Sequence, residues 1–129
     1  LDSRADAALE SVGLVGKRDE TAKFLAHGQQ RALEIAIALI SNPEVLLLDE
    51  PTAGMGPEET KEMVALLEKL ATERTILLVE HKMDVVRELA DRIVVLHNGA
   101  LVADGEPAAV IASPIVQQAY LGMAAEKPA

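Results

Sequence analysis

Two adjacent acids, Asp49 and Glu50, directly follow a short apolar run at residues 45–48. Such a run, bounded by turn signals, is typical of a strand buried on both faces of a parallel sheet. Open α/β sheets bind their ligands at the carboxyl ends of their strands. Side chains alternate along a strand, so we expect the two acids to face different directions. One can then hold a hydrated metal ion while the other reaches a water, as phosphoryl transfer requires. The alternative is that both are ordinary cap or loop acids.

A second candidate lies at residues 25–31, where Gly28 and small side chains precede a predicted helix. Backbone N–H groups at a helix N-terminus have no partners within the helix, and the helix dipole is positive there. The pattern therefore predicts an anion-binding site. An ordinary helix N-terminus, without a ligand, is the alternative reading of these residues alone.

The elements that position these residues follow from periodicity and turn signals. Strands are predicted at 45–48 and Thr75–Val79, and Asn98-Gly99 predicts a hairpin between 93–96 and 101–103. The helices are expected at 2–12, about 28–40, from Pro57 onward, about 83–90, and after Pro107 and Pro114, with Gly122 ending the last.

This order predicts an α/β fold, with a parallel sheet, flanking helices and a carboxy-terminal antiparallel hairpin. We divide the chain into a helical region at 1–42, a core at 43–105 and carboxy-terminal helices at 106–129.

The composition narrows the class of protein. The 129 residues fit one domain, and half are hydrophobic although Phe24 and Tyr120 are the only Phe, Tyr or Trp residues, so the core must be aliphatic. A formal charge of −9 argues against a nucleic-acid surface. The chain has no cysteine, and we see neither a membrane-length apolar run nor a signal peptide. We expect a soluble cytosolic protein, and because residue 1 is Leu, we expect that further sequence precedes it.

Taken together in this order, the motifs resemble the nucleotide-binding domain of ABC transporters, from its signature motif onward and over nearly the whole chain. The fold implied is a partial P-loop NTPase-type parallel sheet. The matching segments are residues 25–29 for the signature, Val45–Asp49 for the Walker B strand, Glu50 for the catalytic glutamate, residues 53–56 for the D-loop and His81 for the switch histidine.

The resemblance also implies roles and cofactors. Two ATPase subunits of this family pair head to tail with ATP and Mg²⁺ between them. Asp49 would hold Mg²⁺ through water, Glu50 would be the general base, and His81 would bind the γ-phosphate. The signature residues of one subunit would close on the ATP of its partner; here these are His27, Gly28 and Gln29.

The subfamily is indicated by residues 53–55, 83–86, 90–93 and 119–122, which resemble ATPase subunits of branched-chain amino-acid importers. Importers of urea and other amides have similar segments. The implied partners are a second ATPase subunit and transmembrane permease subunits, at the inner face of the cell membrane. Two alternatives stay open: a truncated module that binds no nucleotide, and a non-transport ABC ATPase coupled to translation or DNA repair.

The sequence also departs from the family pattern. Ala26 replaces the signature serine, Gly56 replaces the D-loop aspartate, and Lys82 follows the histidine where an acid is frequent. No G-x-x-x-x-G-K-[ST] phosphate-binding loop occurs in these residues. We therefore expect a fragment that is inactive by itself.

The resemblance further predicts an incomplete sheet. The strand that carries the phosphate-binding loop would lie between Thr75–Val79 and residues 93–96. Without it, those two strands either pair directly or leave unpaired backbone groups that invite a neighbouring chain. We expect a dimer or higher oligomer of the isolated chain.

Overall fold

The computed structural model describes the backbone of residues 3–121 and the side chains of residues 3–120. The chain divides into an amino-terminal unit, Leu1–His81, and a carboxy-terminal unit, Lys82–Ala129. All the candidate site residues lie in the amino-terminal unit.

The amino-terminal unit alternates helices and strands, as the sequence predicts. Single 3₁₀ turns at Val15–Lys17 and Ala22–Phe24 lie in a stretch that joins its first two helices. Its elements are α1 (Ser3–Ser11), α2 (His27–Leu39), β1 (Val45–Asp49), α3 (Pro57–Ala71) and β2 (Thr75–Val79).

Helix α3 shows how the sequence specifies a helix. Pro57 occupies the first turn, where a missing N–H costs nothing, and Glu58 and Glu59 complement the positive end of the dipole. Four residues of one face are buried, namely Met63, Val64, Leu67 and Leu70. Leu66, on the same helix, is half-buried.

Helix α2 buries Ala32, Ile35 and Ala36. The chain leaves this helix through Asn42, whose φ of 50° lies in the left-handed region that Asn tolerates better than most residues. Pro43 follows, and it cannot continue a helix. The helix thus ends at Leu39, close to the predicted end at about residue 40.

Strands β1 and β2 pair in parallel, with Val45 opposite Thr75 and Asp49 opposite Val79. One face of the pair is covered, and Leu46 there is only 4% exposed. The other face carries four side chains that are more than half exposed: Val45 at 53%, Leu47 at 68%, Leu77 at 60% and Val79 at 56%. The prediction that these strands are buried on both faces is wrong for this structure, because no other described element of the amino-terminal unit covers that second face.

The carboxy-terminal unit contains the predicted hairpin. Strands β3 (Ile93–His97) and β4 (Ala100–Gly105) are antiparallel. They are joined by Asn98 and Gly99, which have φ values of 50° and 78°. Positive φ at both central residues is the geometry that Asn-Gly favours in a two-residue hairpin.

Helices complete this unit around a small aliphatic core. They are α4 (Met83–Leu89), α5 (Pro107–Ala112) and α6 (Pro114–Val116), followed by a π-helical turn at Gln117–Leu121. The buried core residues are Ile93, Val95, Val110 and Val116. The predicted end of the last helix at Gly122 lies outside the described residues.

An exposed ion pair joins the two ends of the hairpin. Arg92 donates from Nε and Nη2 to the two carboxylate oxygens of Asp104, each over 2.7 Å. The Arg92 hydrogen bond lowers the pKa of the Asp104 carboxyl below its ordinary value. His97 is exposed and packs edge-on against Tyr120, with ring centroids 5.9 Å apart.

The two strand pairs are separate sheets. Among the described residues β2 is hydrogen-bonded to β1 alone, and β3 to β4 alone. Direct pairing of β2 with β3, one of the two outcomes considered for an incomplete sheet, does not occur. The predicted α/β architecture, with a parallel sheet, flanking helices and a carboxy-terminal hairpin, is confirmed.

Candidate functional site

Glu50 and His81 meet where the two parallel strands end. His81 Nδ1 lies 2.9 Å from Glu50 Oε1. The backbone supports this contact, because the Glu50 N–H donates to the Val79 carbonyl oxygen over 2.8 Å. Both side chains are accessible, with 46% of Glu50 and 65% of His81 exposed. The structure therefore brings the two predicted catalytic residues together.

The directions of Asp49 and Glu50 have a different cause from the one expected. Asp49 is the last residue of β1, but Glu50 has left the strand and has a φ of 46°. A left-handed conformation is strained for a non-glycine residue, and such strain clusters at functional sites. Strand alternation therefore does not orient Glu50; the turn and the His81 contact do.

The Asp49 carboxylate is exposed and accepts no hydrogen bond within the described residues. Among those residues no group of three or more His, Cys, Asp or Glu side chains could hold a metal ion. Mg²⁺ at phosphoryl-transfer sites is commonly held by one or two carboxylates, with phosphate and water oxygens completing the shell. One free carboxylate at a strand end fits that pattern.

Sequence reasoning missed the residue next to His81. The Glu80 side chain is only 1% exposed, and its Oε2 accepts a hydrogen bond from Thr52 Oγ1 over 2.6 Å. Glu80 Oε1 accepts from the His81 N–H over 3.1 Å. Strand alternation could have found it, because the inward side chains of β2 are Ile76 and Leu78 and the next residue of that series is Glu80.

The N-terminus of α2 has the free donors that the sequence predicted. Gln30 is the first residue whose N–H bonds within the helix, donating to the Ala26 carbonyl oxygen over 2.9 Å. The N–H groups of His27, Gly28 and Gln29 precede that bond, as in any helix. Ala26, the N-cap residue, has no side-chain oxygen to cap them, whereas a serine would.

The side chains of Gln29 and His27 are partly committed to this segment. Gln29 Oε1 accepts the Ala26 N–H over 3.1 Å. His27 Nε2 lies 3.1 Å from the Ala53 carbonyl oxygen, so Nε2 carries the proton and donates. This bond ties the start of α2 to the loop after β1.

Gly28 lies against Glu59 of α3. A Cβ at position 28 would be 2.9 Å from Glu59 Oε2, so any larger residue would require that carboxylate to move. Glu59 Oε2 is buried and has no hydrogen-bond partner in the described part of the chain. The two residues border a cavity of about 170 Å³, which also contacts Val12, Leu14, Ala32 and Met55.

The chain is similar in sequence to known proteins. The sequence profile of the ABC transporter family matches residues 1–53. The chain is 47% identical over 118 residues to the high-affinity branched-chain amino acid transport ATP-binding protein BraF of Pseudomonas aeruginosa. It is 45% identical over 123 residues to the corresponding protein LivG of Escherichia coli K12. These alignments include 90% and 94% of the chain, but 46% and 48% of the relatives.

Solved structures give the same result. The crystal structure of an ATP-binding cassette of an ABC transporter in its ADP conformation matches with a TM-score of 0.82 and 34% identity. The match covers 93% of this chain and 49% of that one. A nucleotide-free cassette matches with a TM-score of 0.83 and 31% identity.

In fold and in sequence the chain is similar to the ATP-binding domains of ABC transporters. The resemblance seen in the sequence is thereby confirmed, including the similarity to ATP-binding proteins of branched-chain amino-acid transport. The chain spans about half the length of the curated relatives it matches. No helix in residues 3–121 is long and apolar enough to cross a membrane.

Proposed function

We propose that this chain is the carboxy-terminal half of the ATP-hydrolysing subunit of an ABC importer for branched-chain amino acids. The observation that carries the proposal is the 2.9 Å contact between Glu50 and His81 at the carboxyl ends of adjacent parallel strands. Open α/β sheets bind ligands at that edge. The identity to BraF and LivG supports the transport role and the substrate class.

Glu50 is the proposed general base. His81 engages Oε1, so the other carboxylate oxygen is available to accept a proton from water. General-base assistance typically contributes about 10²–10⁴-fold in rate. The exposed Asp49 carboxylate would hold Mg²⁺ through water, and Mg²⁺ bound with ATP would neutralise the charge that develops on the phosphate oxygens.

His81 would bind the γ-phosphate and respond to its presence. In a neutral ring with the proton on Nδ1, donation to Glu50 leaves Nε2 an acceptor. Contact of Nε2 with a phosphate oxygen then requires a second ring proton or a change of tautomer. The contact therefore couples the hydrogen bonding of the proposed base, Glu50, to the tautomer and protonation of His81.

The N-terminus of α2 would close on ATP held by a second subunit. The N–H groups of His27, Gly28 and Gln29 are the donors proposed for that phosphate, and the positive end of the helix dipole favours it. His27 Nε2 is engaged by Ala53, so its contribution would come from the backbone or from Nδ1. Ala26 offers no hydroxyl, and the remaining donors must replace it.

The proposed partners are a second ATPase subunit and transmembrane permease subunits, which would place the protein peripherally at the inner face of the cell membrane. The phosphate-binding loop would come from sequence outside these residues. We accordingly expect no ATP hydrolysis by the 129-residue chain alone.

Complementation tests the transport role. Cells that lack the native gene should regain uptake of labelled leucine from the full-length protein, and lose it again with Glu50→Gln. Glu68→Gln, an exposed position on α3, is the matched control and should support parental uptake. Leucine uptake that does not depend on the protein, with urea uptake that does, would move the assignment to an amide importer. Parental uptake with Glu50→Gln would contradict the ATPase proposal itself.

A further inference from the structure

A buried hydrogen bond lies beneath the Glu50–His81 pair. Thr52 is fully buried, at 0% exposure. Its hydroxyl donates to Glu80 Oε2 over 2.6 Å. Thr52 is two residues after Glu50, and Glu80 directly precedes His81. The bond therefore joins the two loops that carry the proposed catalytic residues.

Burial makes this bond consequential. A carboxylate that is 1% exposed is costly to desolvate unless its oxygens are hydrogen-bonded. Glu80 satisfies one oxygen with the Thr52 hydroxyl and the other with the His81 N–H. Hydrogen bonds to charged groups are shorter and stronger than those between neutral groups. The bond from Thr52 to Glu80 therefore holds the two loops firmly together.

The geometry acts on both catalytic side chains. Glu80 Oε1 accepts a hydrogen bond from the backbone of His81. Glu80 Oε2 accepts one from Thr52, in the loop that follows Glu50. The ring of His81 is also close, with Nδ1 3.8 Å from Glu80 Oε1 and 2.9 Å from Glu50 Oε1. The side chains of Glu50 and His81 are largely accessible to solvent. Packing against neighbouring side chains therefore restrains their contact only weakly.

We propose that Glu80 and Thr52 are positioning residues, whose buried hydrogen bond holds Glu50 and His81 in contact. This inference rests on the proposed ATPase function. It adds two residues to the site, neither of which touches the reacting atoms. The positioning role is distinct from simple stabilisation, because it predicts a change at the His81 ring and in kcat.

The test uses four variants of the full-length protein. Thr52→Val removes the hydroxyl and keeps the shape, and Thr52→Ser retains the hydroxyl. Glu80→Gln removes the charge and keeps the size. Thr72→Val is the matched control, because the Thr72 hydroxyl is exposed and donates to the Lys69 carbonyl oxygen at the end of α3.

We expect Thr52→Val to lower kcat for ATP hydrolysis by about 10- to 100-fold, the range that follows from losing one hydrogen bond to a charged group. KM for ATP should stay within about 2-fold, since no nucleotide contact is removed. Thr52→Ser should recover most of the rate, and Thr72→Val should match the parent. In ¹⁵N spectra without nucleotide, the His81 Nδ1 signal should move in Thr52→Val and stay in Thr52→Ser.

Parental kcat and an unmoved His81 signal in folded Thr52→Val would overturn the proposal. Should Thr52→Val fail to fold, Glu80→Gln decides in the same way: a reduced kcat and a moved His81 signal support positioning, and parental values for both overturn it. Failure of the ATPase proposal looks different, because Glu50→Gln would then hydrolyse ATP at the parental rate.

Discussion

The imidazole of His81 contacts the carboxylate of Glu50 across 31 residues of sequence, with Nδ1 2.9 Å from Oε1. Each residue lies just beyond a strand, and the parallel register of β1 and β2 sets the distance, because Asp49 is opposite Val79. A shift of one residue in that register would turn the side chains of the shifted strand to the opposite face and separate the pair. The aliphatic packing that fixes the register is thus what positions the site.

The first prediction concerns the tautomer of His81. Because Glu50 accepts from Nδ1, the neutral ring should carry its proton on Nδ1. Long-range ¹H–¹⁵N spectra at a pH where the ring is neutral should show that tautomer, and Glu50→Ala should produce a mixture of both. His97 serves as the internal control, since its ring packs on Tyr120 and should not respond. A proton on Nε2 of His81 in the parental chain would contradict the contact.

The second prediction concerns the exposed apolar face of β1 and β2. Val45, Leu47, Leu77 and Val79 are each more than half exposed, and the outer edge of β2 has no strand partner among the described residues. Such surfaces favour association. Light scattering on the isolated chain at low micromolar concentration should show a dimer or larger species.

A charge on that face should weaken the association. Leu47→Lys is tolerated by the fold because Leu47 is 68% exposed, and it should shift the chain toward monomer. Ile37→Lys, at an α2 position that is 62% exposed, is the control and should leave the association unchanged. A parental chain that is monomeric and unfolds cooperatively would show that this face is stable in water.

Features of the fold that depend on residues close together in sequence could be predicted, whereas contacts between residues far apart in sequence could not. The two parallel strands, the helix that begins at Pro57 and the Asn98-Gly99 hairpin follow from local patterns, so the sequence is sufficient for them. The bond from His27 to Ala53 spans 26 residues and depends on how α2 packs, which no local pattern specifies.

The site shows the same division. The Asp49-Glu50 pair stands out because acids end an apolar strand, yet the left-handed turn at Glu50 has no signature in its residue type. Glu80 was not predicted as part of the site, because an acid directly after a strand is expected to be exposed to solvent. The alternation of side chains along β2 nevertheless directs it inward. Full burial of Thr52 depends on tertiary packing, and its neighbours in sequence give no sign of it.

The third prediction concerns acid stability. Hydrogen bonding to Arg92 lowers the pKa of Asp104 in the folded chain. The ion pair therefore contributes stability that is fully present above the unfolded pKa of about 3.9 and is lost as the pH falls through the lower folded value. Asp104→Asn should lower the melting temperature slightly near neutral pH and flatten its fall below about pH 4.

Asp91→Asn is the matched control for that experiment, because Asp91 is exposed and pairs with no cation among the described side chains. It should keep the parental acid profile. Carboxyl groups titrate between roughly pH 2 and 5. If the melting temperatures of Asp104→Asn and the parent vary identically over that range, the ion pair contributes nothing to stability.

Glu50→Gln in the full-length protein is the fourth prediction and tests the central claim most directly. The substitution keeps the shape of the side chain and removes the base, so Mg²⁺–ATP should bind with near-parental affinity while kcat falls by about 10²–10⁴-fold. Glu68→Gln, measured in parallel, should retain the parental kcat. The measurement is ATP turnover together with nucleotide affinity on the purified subunit. Retained binding with turnover lost is the predicted result, and turnover at the parental rate would contradict the assignment of Glu50 as the base.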